Sequence, residues 1–251
     1  MRVHLPKPLH GWREFAGEVG IIVLGVLIAL GAGQVVKSLQ FRHEQHDTLE
    51  RLFRESQVNI ALLRRAHDVL AKETRQEEAF AAALSSGTCP PADQWAAATD
   101  TEKYPQVVVE TSVYDEVIGS DGLGTIASTK AREAIGDFHS KLAWLESTTE
   151  FFRSKAERPF DVADSRVTVA YDPKAEDPEV MTFNREALCR DKGFRNRVAV
   201  GVRNRVKWAE FHEPLVQSAI DLCGVLAREL GEACTGSMDA ERRIAAATGG
   251  K

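Results

Sequence analysis

An uninterrupted apolar segment near the N-terminus constrains this chain more than any other feature of its sequence. From Val19 to Val36 the chain reads VGIIVLGVLIALGAGQVV, eighteen residues without a charged side chain. A helix rises about 1.5 Å per residue, so the segment is about 27 Å long, close to the hydrocarbon thickness of a bilayer. With the apolar residues that precede it, the segment predicts one transmembrane helix from Phe15 to Val36.

Two other interpretations of this segment are weaker. A buried core helix is rarely apolar on every face over such a length. A cleaved signal peptide would use Arg2, Lys7 and Arg13 as its basic region and the small residues up to Gly33 as its cleavage region. The apolar run exceeds the usual signal-peptide core of about 7–15 residues, and the helical pattern continues past Gly33. We therefore expect an uncleaved anchor.

Small residues recur every four positions inside the apolar segment, at Gly25, Ala29 and Gly33. Such a stripe lets two helix backbones approach closely, which is how transmembrane helices associate in lipid. Glycine and alanine are also simply common in these helices. The stripe predicts that the helix contacts either a second copy of itself or another membrane protein. The rest of its surface is expected to contact the lipid bilayer.

The rest of the chain has an ordinary globular composition. Of 251 residues, 43% are hydrophobic and 27% are charged. This predicts a short N-terminus over residues 1–14, a soluble domain over residues 37–234, and a flexible tail over residues 235–251. The net charge of -5 argues against nucleic acid as a partner. Basic residues nevertheless cluster locally, which predicts either a solvated helix face or a contact for anionic lipid or an acidic partner: Arg190, Lys192, Arg195, Arg197, Arg203, Arg205 and Lys207.

The four cysteines, Cys89, Cys189, Cys223 and Cys234, have neither C-x-x-C spacing nor histidines at zinc-finger distance. They fit two disulfides in an oxidising compartment better than a metal site. Four cysteines allow three pairings, and sequence cannot choose among them. We favour Cys223 with Cys234, which closes the end of the last helix, and Cys89 with Cys189.

The position of the anchor and the use of cysteine together favour one topology. Basic residues flank the apolar segment on both sides in similar numbers, so local charge does not set the orientation. A signal anchor at the extreme N-terminus and paired cysteines both favour a cytoplasmic N-terminus with the domain outside. For a bacterium, this predicts a protein of the inner membrane with a periplasmic domain.

Helical periodicity dominates the soluble part and predicts an all-α fold. One transmembrane helix would continue into an elongated antiparallel helical bundle. Ser128 and Gly231 are predicted to cap the start of one helix and the end of another. Two stripes of side chains spaced by three and four residues predict core faces: Leu49, Leu52, Ser56, Asn59, Leu63, Ala66 and Leu70 in the first helix, and Ala131, Ile135, Phe138, Leu142, Leu145, Thr149 and Phe152 in the other.

The region after residue 159 gives weaker signals. Residues 160–177 are rich in Asp, Pro and Lys and are predicted to be mainly loop, although Val167–Val169 could pair as a short strand. Asp177 and the proline after it predict a helix start. The helical pattern then continues to about Leu230, with an interruption near Gly193 and a kink at Pro214.

No catalytic signature of a serine hydrolase, a zincin or a P-loop occurs in the sequence, and no cofactor is predicted. His43, His46 and Glu50 share one helix face, which makes them a weak candidate for a metal site and more typical of an exposed polar surface. Three tryptophans could line a ligand pocket between helices, although large aromatic residues more often fill a bundle core: Trp95, Trp144 and Trp208.

The opening segment HGWREFAGEVGIIVLGVLIALGAGQVV, from His10 to Val36, resembles a family of proteobacterial single-pass inner-membrane proteins. The resemblance extends weakly to TSVYDEVIGSDGLGTI and the helix after it. It implies an anchor in a bacterial inner membrane, and it brings no activity and no catalytic residue.

These features favour a membrane-anchored helical interaction protein, an accessory or scaffold subunit, over an enzyme. The alternative is a periplasmic ligand-binding or sensing domain that signals through a partner protein. A polar cavity between helices would favour sensing, converging ionisable residues in a cleft would favour an enzyme, and an exposed apolar patch on a packed bundle would favour the scaffold.

Overall fold

The structure is a computed structural model that describes residues 12–120, 122–161, 163–174 and 179–234. Within these residues the chain is predominantly helical and contains a two-stranded antiparallel sheet, which confirms the predicted all-α class. The elements are α1 (Trp12–Ser85), α2 (Ala96–Asp100), α3 (Ser112–Ser120), α4 (Thr129–Ser154), β1 (Val167–Tyr171), β2 (Glu179–Phe183), α5 (Arg185–Arg190), α6 (Lys192–Glu210) and α7 (His212–Leu230).

Some predictions fall on residues outside the described part of the chain. Residues 1–11, which make up most of the expected cytoplasmic N-terminus, are among them. The expected flexible tail over residues 235–251 and the helix start at Asp177 also lie outside the described residues. These three predictions are untested.

The chain divides into two compact units, residues 1–49 and residues 50–251. In the first unit, α1 is helical through the whole apolar segment. None of the apolar window is buried inside the protein, which argues against a buried core helix there. By length and composition, α1 is a helix that could cross a membrane.

In the second unit, the predicted core stripe of α1 is largely confirmed, with one correction. Leu52, Leu63 and Leu70 are buried, but Ala66 is exposed. A helix turns by about 100° per residue, which places Ala66 about 60° from Leu63 and His67 about 40° from it on the other side. The stripe therefore passes through the half-buried His67. It continues past its predicted end, to Thr74, Glu77, Phe80 and Leu84.

The helix α4, whose apolar residues have the most regular spacing in the sequence, forms as expected. Its N-cap is Ser128, whose hydroxyl accepts a hydrogen bond from the Ala131 amide. Its buried face is the predicted stripe, with Phe152 partly buried at the end, and it packs against α7. The last helix ends at Gly231, which adopts the left-handed conformation with φ 71° that glycine tolerates without strain.

The region predicted to run from loop into helix instead forms a β-hairpin. β1 and β2 pair with Val167 opposite Phe183 and Tyr171 opposite Glu179, so the predicted helix over the β2 residues is wrong. The sequences VTVAY and EVMTF are rich in β-branched and aromatic residues, which pack well on a pleated surface. The helix begins only at Arg185, where the Asn184 side chain accepts a hydrogen bond from the Ala187 amide.

The remaining helical pattern consists of three helices rather than one kinked helix. α5 ends at Arg190, and the carboxylate of the next residue, Asp191, accepts a hydrogen bond from the Gly193 amide and thereby caps α6. This break agrees with the interruption predicted near Gly193. Pro214 lies in the first turn of α7, where its missing N–H leaves no helical bond unmade. The break that we predicted as a kink at Pro214 occurs at Phe211.

An aromatic core surrounds Trp95 and ties the hairpin to the helices. The Trp95 ring stacks on Phe194 at a centroid distance of 5.8 Å and lies 5.1 Å from Phe183. Phe80 meets it edge-on at 5.4 Å. Nearby, Gly201 lets α6 approach Thr101, because a Cβ at this position would lie 3.0 Å from the Thr101 side chain.

Candidate functional site

The small-residue stripe lies on an exposed part of α1. Gly25, Ala29 and Gly33 are all exposed within the first unit. A Cβ placed on Gly25 or Gly33 would meet nothing within 4 Å, so close packing inside this chain does not require these glycines. Helix association through the stripe stays a prediction.

The cysteines form the two pairs that the sequence favoured. Cys89 bonds to Cys189 with the Cα atoms 5.6 Å apart, and Cys223 bonds to Cys234 with the Cα atoms 5.7 Å apart. The first pair joins the segment after α1 to α5, and the second joins α7 to the chain that follows its C-cap. Both pairs hint at an oxidising compartment.

The two histidines of the weak metal candidate lie near the end of the first unit. His43 Nε2 lies 3.6 Å from Asp47 Oδ2, and both side chains are exposed. Among the residues that the structure describes, no group of three or more His, Cys, Asp or Glu side chains could hold a metal ion. Of the other two residues of this weak candidate, His46 is exposed and Glu50 is half-buried.

The basic cluster is not a single solvated face, because its central member is buried. Arg205 is 2% exposed, whereas Arg203 and Lys207 on either side of it in α6 are exposed. Burying a guanidinium is costly unless its charge is paired and its donors are hydrogen-bonded. The sequence did not reveal this difference between Arg205 and its neighbours. The buried Arg205 forms a polar site in the core.

Two glutamates of α1 and one carbonyl surround the Arg205 guanidinium. Its Nη2 donates to Glu73 Oε2 at 2.6 Å, and its Nε donates to Glu77 Oε1 at 3.3 Å. Its Nη1 donates to the carbonyl oxygen of Lys103. The contacts on three nitrogens fix the guanidinium and link α1, the segment after α2, and α6.

Aromatic rings complete the enclosure of Arg205. The guanidinium carbon lies 5.0 Å from the Trp208 ring centroid and 6.0 Å from that of Tyr104, distances at which cation–π attraction operates. Trp208 Nε1 donates to the Thr149 hydroxyl at 2.9 Å. Arg153 Nε donates to the Tyr104 carbonyl at 2.7 Å, so α4 also contacts this cluster.

Several groups around Arg205 are buried with unmet hydrogen-bonding capacity. Among the described residues, Glu77 Oε2, the Tyr104 hydroxyl and His212 Nε2 are buried and have no hydrogen-bond partner. Burial raises the pKa of Glu77 to about 7, although Arg205 favours its carboxylate form. Burial also raises the pKa of Tyr104 to about 12 and lowers the pKa of His212 to about 4.

A small cleft of about 380 Å³ opens over this cluster and is lined by Glu73, Asp100, Lys103, Tyr104, Pro105 and Arg205. Each of the three Arg205 nitrogens already donates to a protein oxygen. These bonds use three of its five N–H groups, and two of them go to the side chains of Glu73 and Glu77. An anionic ligand would therefore meet two glutamates at the guanidinium. The arrangement is suited to holding α1 and α6 in register, because each Arg205 contact depends on their relative position.

The sequence contains a signal that could have located this site. Glu77 lies seven residues after Leu70, so it falls on the same helix face as the apolar stripe. A glutamate on a core face requires a partner, and Arg205 supplies it. The sequence could not show which of the clustered basic residues is buried in the core.

A second polar site joins α1 to α3. Asn59 donates from Nδ2 to the Glu110 carbonyl at 2.8 Å and accepts from the Glu110 amide at 2.6 Å. One turn earlier in α1, Glu55 Oε2 accepts from the Val113 amide at 2.8 Å, at the positive N-terminal end of α3. Burial raises the pKa of Glu55, and this amide bond opposes the rise. These contacts explain why polar residues occupy the α1 stripe.

The three tryptophans have two different environments. Trp95 and Trp208 fill the core, as large aromatic residues usually do. Trp144 is 50% exposed on α4, and Phe151, seven residues later on the same face, is 58% exposed. The Trp144 ring lies 5.0 Å from the half-buried Phe211 at the start of α7. We call Trp144, Phe151 and Phe211 the aromatic patch.

Comparison of this chain with protein-family models, with curated proteins and with solved structures gives no match. The resemblance to proteobacterial single-pass membrane proteins therefore stays an expectation from sequence.

Proposed function

We propose that this protein is a membrane-anchored helical interaction protein, an accessory or scaffold subunit that docks a partner on its aromatic patch. The patch carries the proposal. A packed domain that leaves a tryptophan and a phenylalanine about half exposed on one helix face has a surface suited to protein contact. Tryptophan in particular is enriched among the residues that dominate binding energy at interfaces.

Two further features support the anchoring and the location. The helix α1 is long and apolar enough to cross a membrane, and both disulfides favour an oxidising compartment. Together with the sequence resemblance, these features support the proposal of an anchor in a bacterial inner membrane and a domain in the periplasm. The stripe of Gly25, Ala29 and Gly33 is a second place for contact with a membrane protein.

Site-specific photocrosslinking in native membranes tests this proposal. A photoreactive residue at position 144 should give a discrete crosslinked species, and Phe151→Ser should remove it by weakening the neighbouring contact. The matched control places the same residue at Glu146, which is exposed and about 200° away around α4. Equal crosslinking from positions 144 and 146, or no effect of Phe151→Ser, would contradict docking on the aromatic patch.

The alternative function is ligand sensing, and the polar cleft at Arg205 is the observation that favours it. Its lining contains carboxylates, a lysine and a phenol, which could contact a small polar molecule. A thermal-shift screen of small polar metabolites against the parent and Lys103→Ala distinguishes the two functions. A metabolite that raises the unfolding temperature of the parent but not of Lys103→Ala would favour sensing. Docking on the aromatic patch would not explain that result.

A further inference from the structure

A groove lies beside the hairpin; its lining shares Lys103 with the cleft over Arg205 and includes no residue of the aromatic patch. Its volume is about 910 Å³, within the usual range of about 300–1,000 Å³ for binding sites. β2 contributes one wall, from Val180 to Phe183, and β1 contributes no residue to the lining. The small residues Ala92, Ala96 and Thr99 contribute to the lining with Trp95. The groove therefore follows the edge of β2 that β1 does not cover.

The hairpin register identifies the backbone groups on that edge. The Asn184 amide donates to the Arg166 carbonyl at 2.8 Å, so these two residues form a hydrogen-bonded pair. Such pairs alternate along an antiparallel ladder, which directs the backbone of Val180 and Thr182 toward β1. The N–H and C=O groups of Met181 and Phe183 consequently face the groove.

Nothing within the described part of β2 blocks this edge. Proteins usually protect an open strand edge with proline, lysine or a bulge. Val180–Phe183 contains none of these residues, and it pairs with β1 without a bulge. The N–H and C=O groups of Met181 and Phe183, which face away from β1, are complementary to one kind of partner, which is another extended backbone.

We infer that this groove binds an extended peptide segment of a partner protein, which adds a third strand to the sheet beside β2. The peptide backbone would exchange hydrogen bonds with Met181 and Phe183, and its alternate side chains would enter the groove. The small lining residues favour small apolar side chains there. This inference concerns a different surface from the aromatic patch and does not rest on the proposed function.

Charge at the end of the groove narrows the chemistry of the peptide. Arg185 lines the groove two residues after β2 and is exposed. Among the described residues, no acidic side chain forms an ion pair with it, whereas Lys103 in the same lining is paired with Asp100 at 2.8 Å. An acidic side chain on the peptide would complement Arg185. The lining also contains the carboxylates of Asp93 and Glu102, and Glu102 lies 3.6 Å from Arg158. The groove therefore fits an extended segment with alternating small apolar residues and an acidic residue at the Arg185 end, but none beside Asp93.

Selection from a phage-displayed library of random short peptides, panned against the full-length protein in lipid nanodiscs, tests the inference. We expect enrichment of β-prone peptides that carry Asp or Glu. The enriched peptide, made synthetically, should slow hydrogen exchange at the Met181 and Phe183 amides. Arg185→Glu should shift the selected sequences from acidic to basic residues.

A pair of variants separates backbone pairing from simple contact. Met181→Pro removes an N–H that faces the groove and leaves the ladder to β1 intact, so it should weaken peptide binding by about tenfold or more. Met181→Leu keeps the N–H and should bind as the parent does. N-methylation of the peptide at alternate residues should weaken binding as Met181→Pro does. If Met181→Pro disturbs the hairpin, the N-methylated peptide decides the outcome. Failure to enrich any peptide, or binding that survives N-methylation, would overturn the inference.

Discussion

The two halves of α1 distribute polar side chains in opposite ways. From Val19 to Val36 the helix has no charged residue, and every side chain is exposed. In the second unit its exposed positions include many charged side chains, whereas Glu55, Asn59 and Glu77 are buried. Burial along this helix therefore does not follow the hydropathy of the residue. It follows what each position contacts, which is tertiary structure in the second unit and, by our proposal, lipid in the first.

The buried charge at Arg205 should produce the largest effect. Arg205→Ala leaves Glu73 and Glu77 without their cation in the core, and we expect the free energy of unfolding to fall by about 3–5 kcal/mol. Denaturant unfolding of the detergent-solubilised protein measures this change. Arg203→Ala, two residues away and exposed, should change stability by less than about 0.5 kcal/mol. Similar losses for both variants would show that Arg205 has no special role.

A charge in the apolar half should have the next largest effect. Leu27→Arg places a guanidinium near the centre of the predicted span, which costs about 2.5–3.5 kcal/mol in membrane insertion. We expect less protein to resist carbonate extraction from membranes. Val69→Arg is the control, because Val69 is an exposed apolar residue of α1 in the second unit. Unchanged extraction of Leu27→Arg would contradict a membrane span.

Asn59 tests the polar contacts between α1 and the segment that leads into α3. Asn59→Ala leaves the amide and the carbonyl of Glu110 without their partner, at a cost of about 1–3 kcal/mol. Ser56→Ala is the control, since the Ser56 hydroxyl donates only to the Phe53 carbonyl of its own helix. Thermal unfolding of both variants should give a clearly larger loss for Asn59→Ala. The reverse order would contradict the role given to Asn59.

We expect the smallest effect from the titration of Glu77, which should lower the stability of the folded protein as pH rises. Its pKa of about 7 in the folded protein exceeds its ordinary 4.5, so the folded state holds the proton more tightly and loses stability as pH rises from 4.5 to 7. Relative to Glu77→Gln, the parent should lose about 1 kcal/mol between about pH 5.5 and 6.5. Chemical unfolding at several pH values measures this difference, and a constant difference would contradict burial of an ionisable Glu77.

The titration of His212 should change stability with pH in the direction opposite to that of Glu77. Its pKa of about 4 lies below its ordinary 6.5, so the stability that it contributes is lost as pH falls from 6.5 to 4. Relative to His212→Gln, the parent should therefore lose stability on acidification, whereas relative to Glu77→Gln it should gain stability.

Sequence predicted well the features that depend on local spacing. The stripe of α4, the cap at Ser128 and the left-handed Gly231 each need only a few neighbouring residues. Sequence failed at β2, because EVMTF carries β-propensity that becomes structure only when β1 is available to pair with it. It also failed at Arg205, because burial of one basic residue among seven depends on Glu73 and Glu77, which are more than a hundred residues away.

The connectivity of the two disulfides has a consequence for how the chain matures. The cysteines are paired in the order in which they occur, first with second and third with fourth. If the chain enters an oxidising compartment N-terminal side first, the first cysteine of each pair meets its native partner as the next thiol to arrive. Oxidation in the order of arrival would then produce the native bonds directly, without an isomerase to correct the pairing.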